Sequence, residues 1–456
     1  MSDLGAHAPG LAAERLAVPP VASALPRAAQ ASYAVGSMSY TIVERLLTMW
    51  LAFYYLDEAS PGHVALSASA FFGILWVGRA LDAVCDVVIA GSSDRSNARL
   101  GRRRAYMAWG GLPMCLLAAA IFFPVRGAGA FGAGLYLAVT LSVFWVFFTV
   151  YTVPYLALLS ELATTHQTRV NLATFKATAS LLGAALVFVL SPQLIAPLGF
   201  QGMVVVLSAF AVVTAYVTVV GVNERRYAVS EPSAVRLLAS IRQTFADRAF
   251  VRYLLAFLLF WLGFNVVTTG IPFYVKNLLG LPEAAAGGLM GVAFGGAFLA
   301  FPLVNRVALH LGLKRAFWAC MILFAAVLPL IYFWESAPLG LSPKTVAYAV
   351  MALAGLPLAG LFVLPDAIVA RLAHRTTCAE GSGREGMYFG VQGFCLKLTF
   401  GLSGSLMGLL FDLFGKGGSA GNLGLKLTAP AGGLLVALGA VVFARFPSDA
   451  LKDNAR

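Results

Sequence analysis

Three charged side chains sit in the apolar stretch RALDAVCD: Arg79, Asp82 and Asp86, with Leu, Trp, Val and Ile in the flanking sequence. Their spacing of three and four puts all three on one face of a helix, with Leu81, Val84 and Val88 on the other. A charged group in hydrocarbon costs about 2.5–3.5 kcal/mol on insertion scales and survives where it faces protein or a water-filled cavity. The stripe is therefore expected to face inward. Two carboxylates and one guanidinium leave a formal charge of minus one, which can hold a monovalent cation or share a proton. A fourth buried charge, Lys397, lies in VQGFCLKLTFGLSGSL, where small residues permit close helix approach. A lysine there needs a carboxylate, and Asp82 or Asp86 is the expected partner. Glu44 and Arg45 fall midway along SMSYTIVERLLTMWLAFYY. Neighbours on a helix point about 100° apart, so one can face a cleft while the other reaches a different helix.

The elements that must carry these residues follow from composition. Of 456 residues, 60% are hydrophobic and 11% charged, and mean hydropathy is +0.83. A soluble domain sits near a quarter charged, so this chain cannot cover itself with polar surface. Apolar runs of spanning length fall near 33–56, 65–90, 105–124, 131–159, 172–196 and 201–221. After a basic stretch, NERRYAVSEPSAVRLLASIRQTFADR, six more follow near 250–275, 285–305, 314–334, 345–369, 387–412 and 429–445. Lipid cannot satisfy free backbone groups, and the runs are too long for barrel strands, so they read as helices.

The net charge of +12 reports topology rather than a nucleic-acid partner. With both termini and every second loop on one side, that side collects roughly 24 Lys and Arg against about five opposite. The termini are expected in the cytoplasm. The loop after the second run, DRSNARLGRRR (94–104), aligns without a gap on NRVALHLGLKR (305–315) after the eighth, Gly101 on Gly312 and Arg103 on Lys314. A duplicated six-helix unit explains this. The fold expected is an all-α membrane protein of twelve transmembrane helices in two six-helix bundles, the major facilitator fold, with a site between the halves. The expected organisation is a mobile cytoplasmic tail (1–30), one bundle (31–222), a central cytoplasmic loop (223–248), a second bundle (249–446) and a short tail (447–456). Cys85, Cys115, Cys320, Cys378 and Cys395 form neither a disulfide framework nor a zinc spacing. A P-loop and a nucleophile constellation are also missing from the sequence, so neither ATP drive nor an enzyme is expected.

The run WVGRALDAVCDVVIAGSSDRSNARLGRRRAY resembles the second helix and following loop of the glycoside–pentoside–hexuronide:cation symporters, typified by the melibiose carrier. Segments 32–57, 151–176 and 383–415 resemble the same family, so the likeness covers nearly the whole chain. The resemblance implies a cation site at Asp82 and Asp86 with help from Thr149, a role for Lys397, and a sugar-contacting basic residue at Lys176. It places two first- and fourth-helix sugar-binding positions at Thr41 and Thr152, where the melibiose carrier has aspartate. The family's proline after the second aspartate is Val87, and its acidic loop before the eleventh helix reads ARLAHRTTCAE. Arg79 and Glu44 are further candidates for substrate contact or coupling. Asp94, Arg95, Gly101, Arg102 and Arg103 are expected to form a conformational-switch loop that clasps neighbouring helix ends.

The expected function is cation-coupled symport of a small organic solute by alternating access, the solute a sugar or glycoside by resemblance. The alternative is a carrier of the same fold for a lipid-like or other amphiphilic solute, with or without ion coupling; sodium-dependent lysophospholipid carriers share the outline, so the outline alone does not fix the substrate. The expected partners are a solute, a coupling cation (Na+ or H+) and the lipid bilayer of the cell membrane, with no nucleic acid. The only bound group expected is that cation, and the carrier is expected to be a monomer.

Overall fold

The computed structural model describes residues 25–57, 60, 66–125, 127, 129–162, 166–227, 244–336, 340–380, 385–416 and 421–447. The N-terminal tail up to residue 24, most of the central loop (228–243) and the end of the C-terminal tail lie outside the described residues. Among the described residues every regular element is helical.

In chain order, α1 runs Arg27–Leu46 and continues through a π turn, Leu47–Leu51, into Ala52–Leu56. Then come α2 (Ala68–Asp94), α3 (Arg102–Ala120), α4 (Gly129–Leu162) and α5 (His166–Ala185, ending in the π turn Leu186–Leu190). Next is α6 (Ser191–Gly221), which breaks at Gly199. There φ is 69°, a left-handed conformation that glycine adopts without steric cost, directly after Pro197 and Leu198. Beyond the loop are α7 (Arg248–Phe273, π turn Tyr274–Leu278), α8 (Ala285–Leu311), α9 (Leu313–Val327), α10 (Pro343–Glu380), α11 (Glu385–Phe414) and α12 (Leu423–Ala444).

Among the described residues eight helical stretches are long and apolar enough to cross a membrane, the first at Gly129–Leu159 and the last at Leu423–Ala444. One of these, Asn171–Gly221, is 51 residues long and contains the Gly199 break. Helices α1, α2 and α3 do not meet the criterion. The first two carry Glu44, Arg45, Arg79, Asp82 and Asp86, so the charges that mark a site also lower the apolar signal of the helices that hold it.

Each half packs on its own helices. In the first, α1 lies on α5 and α6, and α4 lies on α2 and α3. Tyr33 and Tyr155 lock α1 to α4: their rings stack at 4.6 Å, and each hydroxyl donates to the other's carbonyl at 3.0 and 2.8 Å. In the second half, α7 lies on α12 and α8 on α10. Gly101 and Gly312, aligned by the sequence repeat, both have positive φ, 109° and 83°, and both immediately precede a helix.

The halves meet most extensively along α2 and α11, which run antiparallel. A stripe of glycines on α11 makes this approach close. Gly401 lies against the Trp76 ring, and Gly404 and Gly408 lie against Phe72, where an added Cβ would come within 2.5 and 2.8 Å of ring carbons. In lipid, helices associate through such packing rather than through the hydrophobic effect. At one end of this seam Asp412 of α11 accepts hydrogen bonds from the backbone N–H of Ala68 (3.0 Å) and Ser69 (2.8 Å), capping α2 from the other half. At the same end Lys276 of α7 pairs with Asp57 at 2.5 Å, and Thr269 donates to the Thr48 carbonyl at 3.0 Å, inside the α1 π turn.

Candidate functional site

The α2–α11 seam sets the register that brings the charges together. Lys397 lies one turn before Gly401 on α11, so its ammonium reaches α2 one to three turns beyond Trp76. The Nζ of Lys397 lies 2.8 Å from both carboxylate oxygens of Asp86 and 3.1 Å from Asp82 Oδ2. The pairing expected from sequence therefore involves both aspartates. Thr149 of α4 donates to Asp82 Oδ1 at 2.5 Å and lies 3.3 Å from Asp86 Oδ1. Two carboxylates and a hydroxyl thus converge from α2 and α4, with the cation of the other half seated between the carboxylates. Asp82 is fully buried, while the side chain of Asp86 is 19% exposed, which leaves the site an open edge. The opposite face of α2 behaves as its sequence predicts: Val84 and Val88 point out of the bundle, more than 60% exposed.

Arg79 continues the stripe. Its guanidinium is 3.4 Å from Asp82, 3.1 Å from Glu44 of α1 and 3.6 Å from the centre of the Trp145 ring. A desolvated cation on an aromatic face is worth about 2 kcal/mol. Glu44 therefore pairs with α2 rather than with its neighbour Arg45. Arg45 turns instead to the second half, 5.3 Å from the ring centre of Trp261 and 5.5 Å from that of Phe400. Beside this network is a cleft walled by α1, α2, α4, α7 and α11. Glu44, Arg79, Trp145, Asn265, Thr269 and Phe400 supply its chemically distinctive surfaces. The cleft joins two aromatic faces to a few polar groups, the composition of a small-molecule site.

Trp145, Asn265 and Phe400 were not singled out by sequence. A signal existed for two of them. Phe400 lies three residues after Lys397 and so shares its face, and Asn265 is an isolated amide in the apolar run FWLGFNVV. Trp145 carried no distinguishing pattern in a run rich in aromatics.

Thr41, Thr152 and Lys176 do not join the cluster. Thr41 is buried on α1 and does not line the cleft. The hydroxyl of Thr152 donates to the Phe148 carbonyl at 2.8 Å, a local helix bond. Lys176 is half-buried on α5 and lies within electrostatic reach of Asp366 on α10. Asp366 is a carboxylate of the second half that sequence reasoning passed over.

The loop residues form a separate assembly. Arg102 and Arg103 reach Glu161 of α4 at 2.7 and 3.1 Å, and Arg103 also donates to the Ser93 hydroxyl. Glu224, just after α6, accepts from the backbone N–H of Arg103 (3.1 Å) and Arg104 (2.8 Å), capping α3. A side chain on Gly101 would collide with the Glu224 carboxylate, so the position needs glycine for space as well as for its φ. Arg95 is exposed, and the Asp94 side chain lies outside the described residues.

The chain is similar to known transport proteins. The family model described as MFS/sugar transport protein matches residues 32–450. An uncharacterised symporter of Bacillus subtilis (strain 168), YnaJ, is 24% identical over 398 residues, covering 84% of this chain and 82% of its own. The isoprimeverose transporter of Lactiplantibacillus pentosus is 22% identical over 397 residues, covering 84% and 80%. Among solved structures, a D-xylose-proton symporter superposes with a TM-score of 0.65 at 14% identity, covering 93% of this chain and 97% of its own. A bacterial homolog of the human lysosomal transporter Spinster, in an inward-facing and unoccupied conformation, gives 0.65 at 13% identity, covering 96% and 100%.

Proposed function

We propose, for a chain that belongs to the MFS/sugar transport protein family, that the cluster around Asp82 and Asp86 couples a cation to solute movement. The chain is a multi-pass membrane protein and a secondary active transporter, not an enzyme. The coupling step is the part that needs an argument, and one observation carries it. The aspartates belong to the first half, and the ammonium they hold belongs to the second. A cation that binds Asp82, Asp86 and Thr149 competes with Lys397 for the same oxygens. Cation binding therefore changes a bond between the halves, and a ligand shifts a conformational equilibrium only through such differential contacts.

The solute is a sugar or a sugar-like molecule bound in the cleft between Glu44, Arg79 and Trp145. Aromatic faces suit the apolar side of a pyranose ring, and Glu44 and Asn265 suit its hydroxyls. Thr41, Thr152 and Lys176 contribute, if at all, at the periphery. Twelve membrane spans follow from splitting Asn171–Gly221 at Gly199 and adding α1, α2 and α3 to the other seven apolar stretches. Residues 31–222 and 249–446 then form two six-helix bundles, joined by the cytoplasmic loop 223–248, with cytoplasmic tails at 1–30 and 447–456. The carrier works as a monomer in the cell membrane. The charge bias of the loops puts the Asp57–Lys276 pair and the Asp412 cap on the outer face. Releasing these contacts is the step that opens the cleft outward.

Uptake of labelled mono- and disaccharides into sealed vesicles tests this reading. An imposed sodium or pH gradient should accelerate uptake, and D86N should remove the acceleration. Uptake that ignores both gradients would favour the uncoupled carrier of amphiphiles.

A further inference from the structure

The second half holds a cavity of its own, separate from the cleft. It lies inside the bundle between α7, α8, α9, the 3₁₀ turn Leu328–Phe333 that follows α9, and α10. Every residue that lines it is at most 7% exposed. Among the described residues no charged side chain faces it, and the hydroxyl of Thr268 already donates to the Phe264 carbonyl at 2.8 Å. A water molecule needs several polar partners to stay in such a space, so an apolar cavity stays dry and takes up apolar molecules instead. Interiors are otherwise close-packed, and atoms that face an unfilled space forgo their dispersion contacts.

The walls select among apolar guests. Three phenyl rings, Phe264, Phe294 and Phe324, and two thioethers, Met290 and Met351, line the space. Sulfur–ring contacts and offset or edge-to-face ring pairs both favour an aromatic guest over an alkyl one. An ionised guest would lose its water here without compensation.

The position of the cavity gives occupancy a consequence. Helix α7 is a wall of both spaces: Asn265 and Thr269 line the cleft, and their neighbours Phe264 and Thr268 line the cavity. Elsewhere α7 is pinned at Gly263, where an added Cβ would come within 2.5 Å of the Gly432 carbonyl of α12. Next to the cavity residue Ile271, Pro272 removes one backbone donor and the π turn Tyr274–Leu278 follows, so α7 can bend at this level. The cavity is room for that bend. A second wall, Phe294, stacks on Phe188 of the first half at 5.1 Å between ring centres.

We infer that this cavity is a second binding site, for a small neutral arene, and that its occupant restrains α7 and slows the transport cycle. The site stands apart from the cation and solute proposed above, while the effect on transport rests on the carrier reading. A guest takes up the room into which α7 bends and holds Phe294 against Phe188. It lowers the maximal rate of uptake without competing for the cleft.

The test is binding of fluorobenzene to the full chain in lipid nanodiscs, followed by fluorine NMR against empty nanodiscs. The wild type should show saturable binding above the linear partition into lipid, displaced by toluene and not by benzylammonium. A354L places extra carbons in the cavity and should weaken binding by roughly tenfold. L358A enlarges the cavity and should raise the affinity of naphthalene relative to fluorobenzene by roughly tenfold, which decides the matter if A354L does not fold. In proteoliposomes, saturating fluorobenzene should lower the maximal uptake rate of the wild type several-fold with KM unchanged. A354L should be slow without the arene and unresponsive to it. No saturable binding, displacement by benzylammonium, or binding that neither variant alters overturns the site. Saturable binding with wild-type uptake unchanged overturns the restraint on α7 and leaves the site standing. A protein that takes up no solute at all contradicts the carrier reading, and the binding measurements still decide the site.

Discussion

Two charge networks lie along α2 and just beyond it, and they join different things. The network at its middle, Asp82, Asp86 and Lys397, ties the first half of the molecule to the second. The network just past its C-terminus, Arg102, Arg103, Glu161 and Glu224, ties the first half to itself. Both hold buried carboxylates against cations, and removing one partner of a buried pair costs about 3–5 kcal/mol in either case. The difference lies in what moves. Pairs between bodies that change their relative position can be exchanged for a ligand during a cycle. Pairs within one body keep it rigid while it moves. Under the coupling proposed above, similar chemistry serves exchange in one place and stiffness in the other.

Substitutions can break or sharpen this distinction. The largest effect is expected for D82N and D86N, which should abolish cation-driven uptake, at least a hundredfold below wild type, with the protein still folded. Uptake under an imposed gradient is the measurement. K397A comes next. It strands two carboxylates and should lower the unfolding temperature without ligand. Sodium should then stabilise the variant more than it stabilises wild type, because the competing ammonium is gone. Titration of the thermal shift against sodium checks this. G404V should wedge α2 from α11 and weaken sodium binding several-fold without touching a charge, since its side chain would meet Phe72. E224Q should have the smallest effect on transport. It weakens the cap on α3 and should cost about 1 kcal/mol of stability, with the sodium response unchanged.

What sequence reveals divides along similar physical lines. The stripe at Arg79, Asp82 and Asp86 was legible because three and four are helical spacings and because charge in an apolar run demands an inward face. Lys397 was legible as the counter-charge, though that it serves both aspartates depends on how α11 seats against α2. The glycines at 401, 404 and 408 were visible as small residues, but their contacts with Trp76 and Phe72 join positions more than 300 residues apart. For the same reason the Asp412 cap on α2 could not be foreseen, since a cap supplied by another helix leaves no local pattern. Thr41, Thr152 and Lys176 came from resemblance, and the structure does not gather them with the cluster. Glu44 had two cations to choose from, and only the approach of α2 to α1 decides for Arg79. The apolar pattern alone meets the spanning criterion in α4, in the α5–α6 stretch and from α7 onward, and not in α1, α2 or α3; the first two carry Glu44, Arg45, Arg79, Asp82 and Asp86.

The most direct test of the central claim compares cation-dependent thermal stability in wild type, D86N and E224Q, with sodium and pH varied separately. The account predicts a stabilisation by sodium, or by protons, that D86N loses and E224Q keeps. A response that survives in D86N, or that disappears in E224Q, would contradict the assignment of coupling to the network between the halves.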